Sequence, residues 1–312
     1  MLDSPTSRLD ARRTNTLFEE AYWLDAVAPG AWRAVQVERD GRVVGRLPYV
    51  LKRRFGLIAV STAPYTPWLG PWIAPGGGKG GGETGRQHEI LAELAGQLPH
   101  ASRTLVACAP EVSNIMALGW AGYELRFSYT YRLNELADPE KLWRNLRDKT
   151  RNTCRKAEKL TSVNAERPIS DIFPILEKTY RRQSVKSLGH VDVLARIDAA
   201  MRPRGQCALY AVEDAGGRIH GFSYVVFDDR HCFYIAGGGD PEFRDSGAQT
   251  LAVWTAIKSA SSHSKIFDFE GSSIPAIERF VRGFGPTQTL RLFARRTSAP
   301  MLLIEAIQAL LE

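Results

Sequence analysis

Cysteine is sparse in this chain. Only Cys108, Cys154, Cys207 and Cys232 occur in 312 residues, and the closest pair stands 25 residues apart. There is no CxxC pair, so neither a zinc ribbon nor a thioredoxin-type site is expected. Scattered thiols suit a reducing compartment and predict a cytoplasmic protein. The 6 histidines show no HxxxH or HExxH spacing, so no metal ligand set and no tightly bound cofactor are expected. No apolar run approaches the length of a membrane span, and the N-terminal MLDSPTSRLDARR lacks the apolar stretch of a signal peptide. The glycine run Gly76–Gly82 contains a lysine but not the GK[ST] ending of a nucleotide-binding P-loop, and its composition reads as a flexible linker.

What is present fits a packed globular protein, with 44% hydrophobic and 24% charged residues. The length suits two lobes better than one core. The net charge of +7 is concentrated. Between Lys141 and Leu160 stand eight Lys/Arg and two Asp/Glu, and the remainder is almost balanced.

Residues 1–14 read as a frayed tail, 15–135 as a first lobe and 136–312 as a second. In the first lobe, Leu17 to Val27 reads as a short helix. Trp32 to Glu38 and Arg42 to Leu51 read as a hairpin around Asp40-Gly41. Leu57 to Ser61, Thr104 to Ala109 and Tyr123 to Leu133 read as strands, and Arg86 to Leu98 and Glu111 to Leu118 as helices. Ala63 to Trp72 is rich in proline and aromatics. Tyr65, Trp68 and Trp72 either wall a ligand cleft or anchor the loop in the core.

The second lobe opens with a helix predicted over Pro139 to Leu160, capped by Asp138. Helices follow over Ile169 to Val185 and Val191 to Met201. Strands come next over Gln206 to Glu213, Arg218 to Phe227 and His231 to Ala236. The order ends with a helix over Asp245 to Ser262, a strand over Ile266 to Phe269, a helix over Ile274 to Arg282, a strand over Gln288 to Ala294 and a terminal helix from Pro300. The element orders of the two halves are alike, which suggests a duplicated α/β architecture with mixed sheets flanked by helices. A monomer or a dimer suits this layout.

Two patterns carry candidate chemistry. On a strand, Asp268 and Glu270 share one face while Phe267 and Phe269 share the other. Gly271 then turns the chain into Ser272-Ser273, good helix caps. Paired carboxylates beside a helix N-terminus suit acid/base work, or serve as caps and ion-pair residues. In the helix over 139–160, Leu142, Leu146, Thr150, Thr153, Ala157 and Leu160 form a packing stripe. Arg144, Arg147, Arg151, Arg155 and Lys159 form an opposite one, which is either a phosphate-binding row or a solvated face.

The segments FDFEGSSIPAIERFVRGFG (267–285), APYTPWLGPW (63–72) and RNTCRKA (151–157) resemble GNAT-like proteins related to the Fem-type peptidyltransferases. A larger set of bacterial acetyltransferase-like proteins shares this layout, and the chain looks closer to that set. The resemblance spans about Leu17 to Arg296. It implies two tandem GNAT lobes and transfer of an acyl or aminoacyl group to an amine. The co-substrate would be acyl-CoA or aminoacyl-tRNA, with tRNA a candidate partner and a small or carrier-linked amine the acceptor. Where Fem-type enzymes often carry lysine, Val281 and then Arg282 stand here, and no segment has room for their helical hairpin arm.

In GNAT proteins the donor pyrophosphate rests on a Gln/Arg-x-x-Gly-x-Gly/Ala turn opening a helix, where exposed backbone N–H groups meet the anion. Arg244, Ser246, Gly247 and Ala248 occupy that motif here, and Gln249 stands where a small residue is expected. An ordinary strand-to-helix turn is the plain alternative. The resemblance also puts Tyr180, with Arg181, Arg182 and Gln183, on the acceptor side, and Arg282 is counted with Arg151, Arg155 and Tyr180 as a candidate for binding substrate or phosphate. Three functions remain open: an N-acyltransferase using acyl-CoA, an aminoacyl-tRNA-dependent transferase, and a non-catalytic module that grips RNA or an anionic carrier.

Overall fold

A computed structural model describes residues 13–54, 56–78, 80–182, 190–271 and 274–301. Most of the tail, the Ser272-Ser273 cap, Gln183 and the terminal helix beyond Met301 lie outside them. The described residues divide into two units. One comprises the chain up to Ser128 and from Leu290 onward, the other Tyr129–Thr289. The division falls within strand β6 (Glu124–Leu133) and within strand β12 (Thr287–Thr297).

The first unit is built on the hairpin β1 (Trp32–Arg39) and β2 (Arg42–Arg54). Asp40 and Gly41 both have positive φ, 51° and 70°, as a two-residue turn matched to strand twist requires. β3 (Leu57–Ser61) pairs antiparallel with β2, and β4 (Trp72–Ile73) pairs with β2 at Arg46 and Gly45. β5 (Arg103–Ala107) runs parallel to β3, and residues 290–297 of β12 run antiparallel to β5.

Helix α1 (Ala21–Val27) precedes the hairpin, α2 (Gly81–Gln97) covers it, and α3 (Met116–Trp120) follows β5. Gly45 lets α2 approach closely, since a Cβ there would lie 2.4 Å from Ile90 Cγ2. α2 begins inside the glycine run expected to be a linker. Its first turn is held by Arg86, which pairs with Glu83 at 2.6 Å and donates to the Ala74 carbonyl. The proline-aromatic segment is core at Trp68, which is fully buried against Phe18.

In the second unit, Arg132 and Leu133 of β6 pair antiparallel with β11 (Ile266–Asp268), which runs parallel to β10 (His231–Gly239). β9 (Ile219–Phe227), β8 (Cys207–Glu213) and β7 (Ser162–Asn164) extend the sheet antiparallel from β10. β9 is buried almost throughout, as expected of a strand with both faces covered.

α6 (Phe173–Arg182) lies against β10, and α7 (His190–Met201) follows it. α8 (Ala248–Ala260) crosses β8 and β9, and α9 (Pro275–Val281) follows β11.

The helix expected over 139–160 is two helices, α4 (Pro139–Asn145) and α5 (Asp148–Leu160). Asp138 caps α4 as expected, accepting the Lys141 N–H at 2.9 Å. The break comes from tertiary contacts. Leu146 and Arg147 are extended, and the Arg147 N–H donates to the Gly283 carbonyl at 3.0 Å. Arg151 reaches back and donates to the carbonyls of Arg144 and Leu146, both at 2.7 Å, closing the C-terminus of α4. Of the expected packing stripe, Leu142, Leu146 and Ala157 are buried, whereas Leu160 is 55% exposed.

Candidate active site

β10 and β11 share a short parallel ladder that ends at Phe233 and Asp268. β11 stops there, while β10 continues to Gly239 and stays paired with β9. A cavity of about 770 Å³ opens along the edge of β10 that β11 leaves. Its walls are the bulged stretch of β10, the N-terminus of α8, α6, residues 269–271, and Ile274 with α9. Its size is typical of small-molecule and cofactor sites.

The end of β11 is held by a buried polar knot. Asp268 is fully buried, and its carboxylate accepts the Arg132 Nε–H at 2.6 Å. It also accepts the Thr130 hydroxyl and the Glu270 N–H, the latter at 2.8 Å. Glu270 (φ 60°) and Gly271 (φ 72°) are both left-handed. Gly271 admits no side chain, because a Cβ would stand 2.3 Å from the Tyr129 carbonyl oxygen. A non-glycine residue held in this region is costly unless its surroundings impose it, and such residues cluster at functional sites. The shared face expected for Asp268 and Glu270 therefore does not form. The strand ends at Asp268, Asp268 turns to Arg132, and only Glu270 reaches the cavity wall.

Across the cavity, a short helical turn over Pro241–Ser246 leads into α8. Gly247 caps α8 with φ 78°, and a Cβ on it would lie 2.9 Å from the Thr153 carbonyl oxygen. No side chain caps α8 from that position, and Ser246 Oγ accepts the Ala248 N–H at 3.2 Å. Arg244, Ser246, Gly247 and Ala248 all line the cavity, beside the partial positive charge of a helix N-terminus. Tyr180 lines it from α6. Lys178 of α6 pairs with Asp240 at 2.8 Å and so ties α6 to the turn before α8.

Tyr234 is a wall residue that sequence reasoning missed. A bulge at Ile235 swings its ring along β10, and a Cβ on Gly237 would come within 1.7 Å of its hydroxyl. Burial pushes the phenol up to about 12, offset in part by a hydrogen bond from the Gln249 side chain. It is therefore neutral at physiological pH. The sequence signal that could have found it is the Gly237-Gly238-Gly239 run, since Gly237 leaves the space that the Tyr234 ring fills.

Other expected site residues lie elsewhere. Arg151 is engaged in closing α4. Arg155 is exposed, with its guanidinium over the Trp143 ring at 5.6 Å. Arg282 is half-exposed and pairs with Glu278 at 3.3 Å. None of the three lines the cavity. Among the described residues no cluster of His, Cys, Asp or Glu could hold a metal, and no helix is long and apolar enough to cross a membrane.

Residues 144–272 match a family model described as an acetyltransferase (GNAT) domain. No curated protein matches the chain. Among solved structures, FemX aligns with a TM-score of 0.70 at 14% identity, over 94% of this chain and 96% of that one. L-PGS from Bacillus licheniformis aligns with a TM-score of 0.55 at 12% identity, over 96% and 95%. A tandem GNAT protein from the clavulanic acid biosynthesis pathway aligns with a TM-score of 0.51 at 13% identity, over 86% and 84%. At such identities the likeness is one of fold. The fold is mixed α/β with helices flanking the sheet, in the manner of GNAT proteins.

Proposed function

We propose, from the GNAT domain that residues 144–272 match, that the protein is an N-acyltransferase taking its acyl group from acyl-CoA and giving it to an amine. The observation that carries this reading is the cavity where β10 and β11 part, because two features suited to such a donor and one suited to the amine meet there. The α8 N-terminus and Arg244 suit a diphosphate. The free edge of β10 suits an extended amide-bearing arm, which can pair with strand backbone. Glu270 suits an ammonium group arriving from solvent.

In the reaction the neutral amine nitrogen attacks the thioester carbonyl, the new C–N bond forms, and the C–S bond breaks. The thiol leaves carrying a proton, and the amine gives up one. A carboxylate at Glu270 attracts the protonated amine and accepts its proton directly or through water. Holding donor and amine together accounts for much of the acceleration in reactions of this kind. Asp268 acts through Glu270, by fixing its backbone.

A second reading, an aminoacyl-tRNA-dependent transferase, is supported by the exposed cations of α5 and by the FemX likeness. Native mass spectrometry of the purified chain for carried-over CoA or tRNA separates the two, followed by calorimetric titration with each. Binding of CoA and release of free thiol with an amine panel would support the first reading. Binding of charged tRNA with no CoA binding would replace it by the second.

A further inference from the structure

The cavity has two unlike ends. At the α8 end stand Arg244 and backbone N–H groups. At the other stand Phe269, Ile274 just before α9, and Ala276, Ile277 and Phe280 of α9, all of which line the cavity. Ile277 and Phe280 stand three residues apart and so share one side of the helix. The polar side chains of α9 are placed differently. Glu278 pairs with Arg282 at 3.3 Å and lies 3.4 Å from the Tyr131 hydroxyl, and Arg279 is exposed. Every residue that α9 gives to the wall is apolar, and Glu270 is the only charged group among the described residues that line that side.

Ile277 and Phe280 are only partly buried, and Ala276 is exposed. Apolar surface gains when it is taken out of water, so this wall favours a ligand that covers it. An acetyl thioester carries only a methyl group beyond its carbonyl and would leave most of this wall facing solvent.

We infer that the group carried by the transferred carbonyl is apolar and larger than a methyl group: a medium-length or branched alkyl chain, or an aryl group, lying along α9. The inference rests on reading the cavity as the donor site. It holds for a thioester donor; for an aminoacyl donor only the side chain, not the α-ammonium beside the carbonyl, would bring the same chemistry to the wall.

The test uses the full chain and four probes: acetyl-CoA, hexanoyl-CoA, acetyl-pantetheine and hexanoyl-pantetheine, titrated by calorimetry. Hexanoyl should bind roughly tenfold or more tighter than acetyl in each pair, given what several buried methylenes contribute. Ala276→Trp, at an exposed position that lines the cavity, should bring that ratio towards one, and circular dichroism with a melting curve checks that the variant folds. If the CoA thioesters fail to bind while hexanoyl-pantetheine still outbinds acetyl-pantetheine, the acyl-CoA reading falls and this inference stands. Equal binding of the two chain lengths, or a ratio untouched by Ala276→Trp, overturns the inference whether or not CoA binds.

Discussion

The Glu270 N–H donates to Asp268 Oδ1 at 2.8 Å, so one carboxylate holds the backbone of the other. The two acids spaced two residues apart have divided their work. Asp268 is buried against Arg132 and Thr130, and Glu270 is presented to the cavity on a left-handed turn.

Glu270→Gln keeps the shape of the side chain and removes its charge. Turnover should fall by roughly 10²-fold or more, as expected for loss of an acid/base group, with little change in melting temperature. Steady-state kinetics and calorimetry on one preparation check both. Normal turnover would remove Glu270 from the chemistry.

Asp268→Asn should act first on stability. It leaves the Arg132 guanidinium buried without its counter-charge, which costs about 3–5 kcal/mol. Turnover should fall as well, because the Glu270 turn loosens. A double variant, Asp268→Asn with Arg132→Met, should regain part of the stability without regaining turnover. Recovery of both together would mean that Asp268 does not position Glu270.

Arg151 and Arg155 share a helix but not a role. Arg151→Ala removes the group that closes α4 and should destabilise the protein by about 1–3 kcal/mol. Arg155→Ala should leave the melting temperature nearly unchanged. If the α5 surface meets nucleic acid, Arg155→Ala should lower the salt slope of tRNA binding by about one counterion. An unchanged slope would make the exposed face merely solvated.

Glu19, in the first unit, predicts a pH dependence. Burial raises its carboxyl to about 7, against bonds from the Asn15 N–H and side chain that act the other way. The folded state therefore holds its proton more tightly than the unfolded chain does. The associated stability is present in full below pH 4.5, the ordinary value, and is lost as pH rises to about 7. The loss is about 3 kcal/mol between those limits. Glu19→Gln should flatten that slope and raise the melting temperature at pH 8. Denaturant melts between pH 4 and 8 give the comparison, and parallel slopes for both proteins would show that Glu19 ionises normally.

What the sequence determined by itself lay in local rules. Asp40-Gly41 specified the hairpin because both turn positions need positive φ. Asp138-Pro139 specified where α4 starts, because an acidic cap and a proline at the first helical position satisfy orphan N–H groups without a partner elsewhere. Gly247 before an apolar helix marked the turn that lines the cavity, because a left-handed residue there favours glycine. The near-continuous apolar runs of β8, β9 and β10 were legible because strands covered on both faces are apolar on both.

The tertiary structure decided the rest. Whether Asp268 faced a ligand or an arginine depended on Arg132, 136 residues away in the chain. The break between α4 and α5 was written in Gly283 and in the reach of Arg151, not in helix propensity. Tyr234 joined the wall because a one-residue bulge re-aimed it, and a bulge is a property of two paired strands. Local preferences amount to about 1 kcal/mol per residue or less. A buried ion pair or a strand register outweighs them, and neither exists until distant parts of the chain meet.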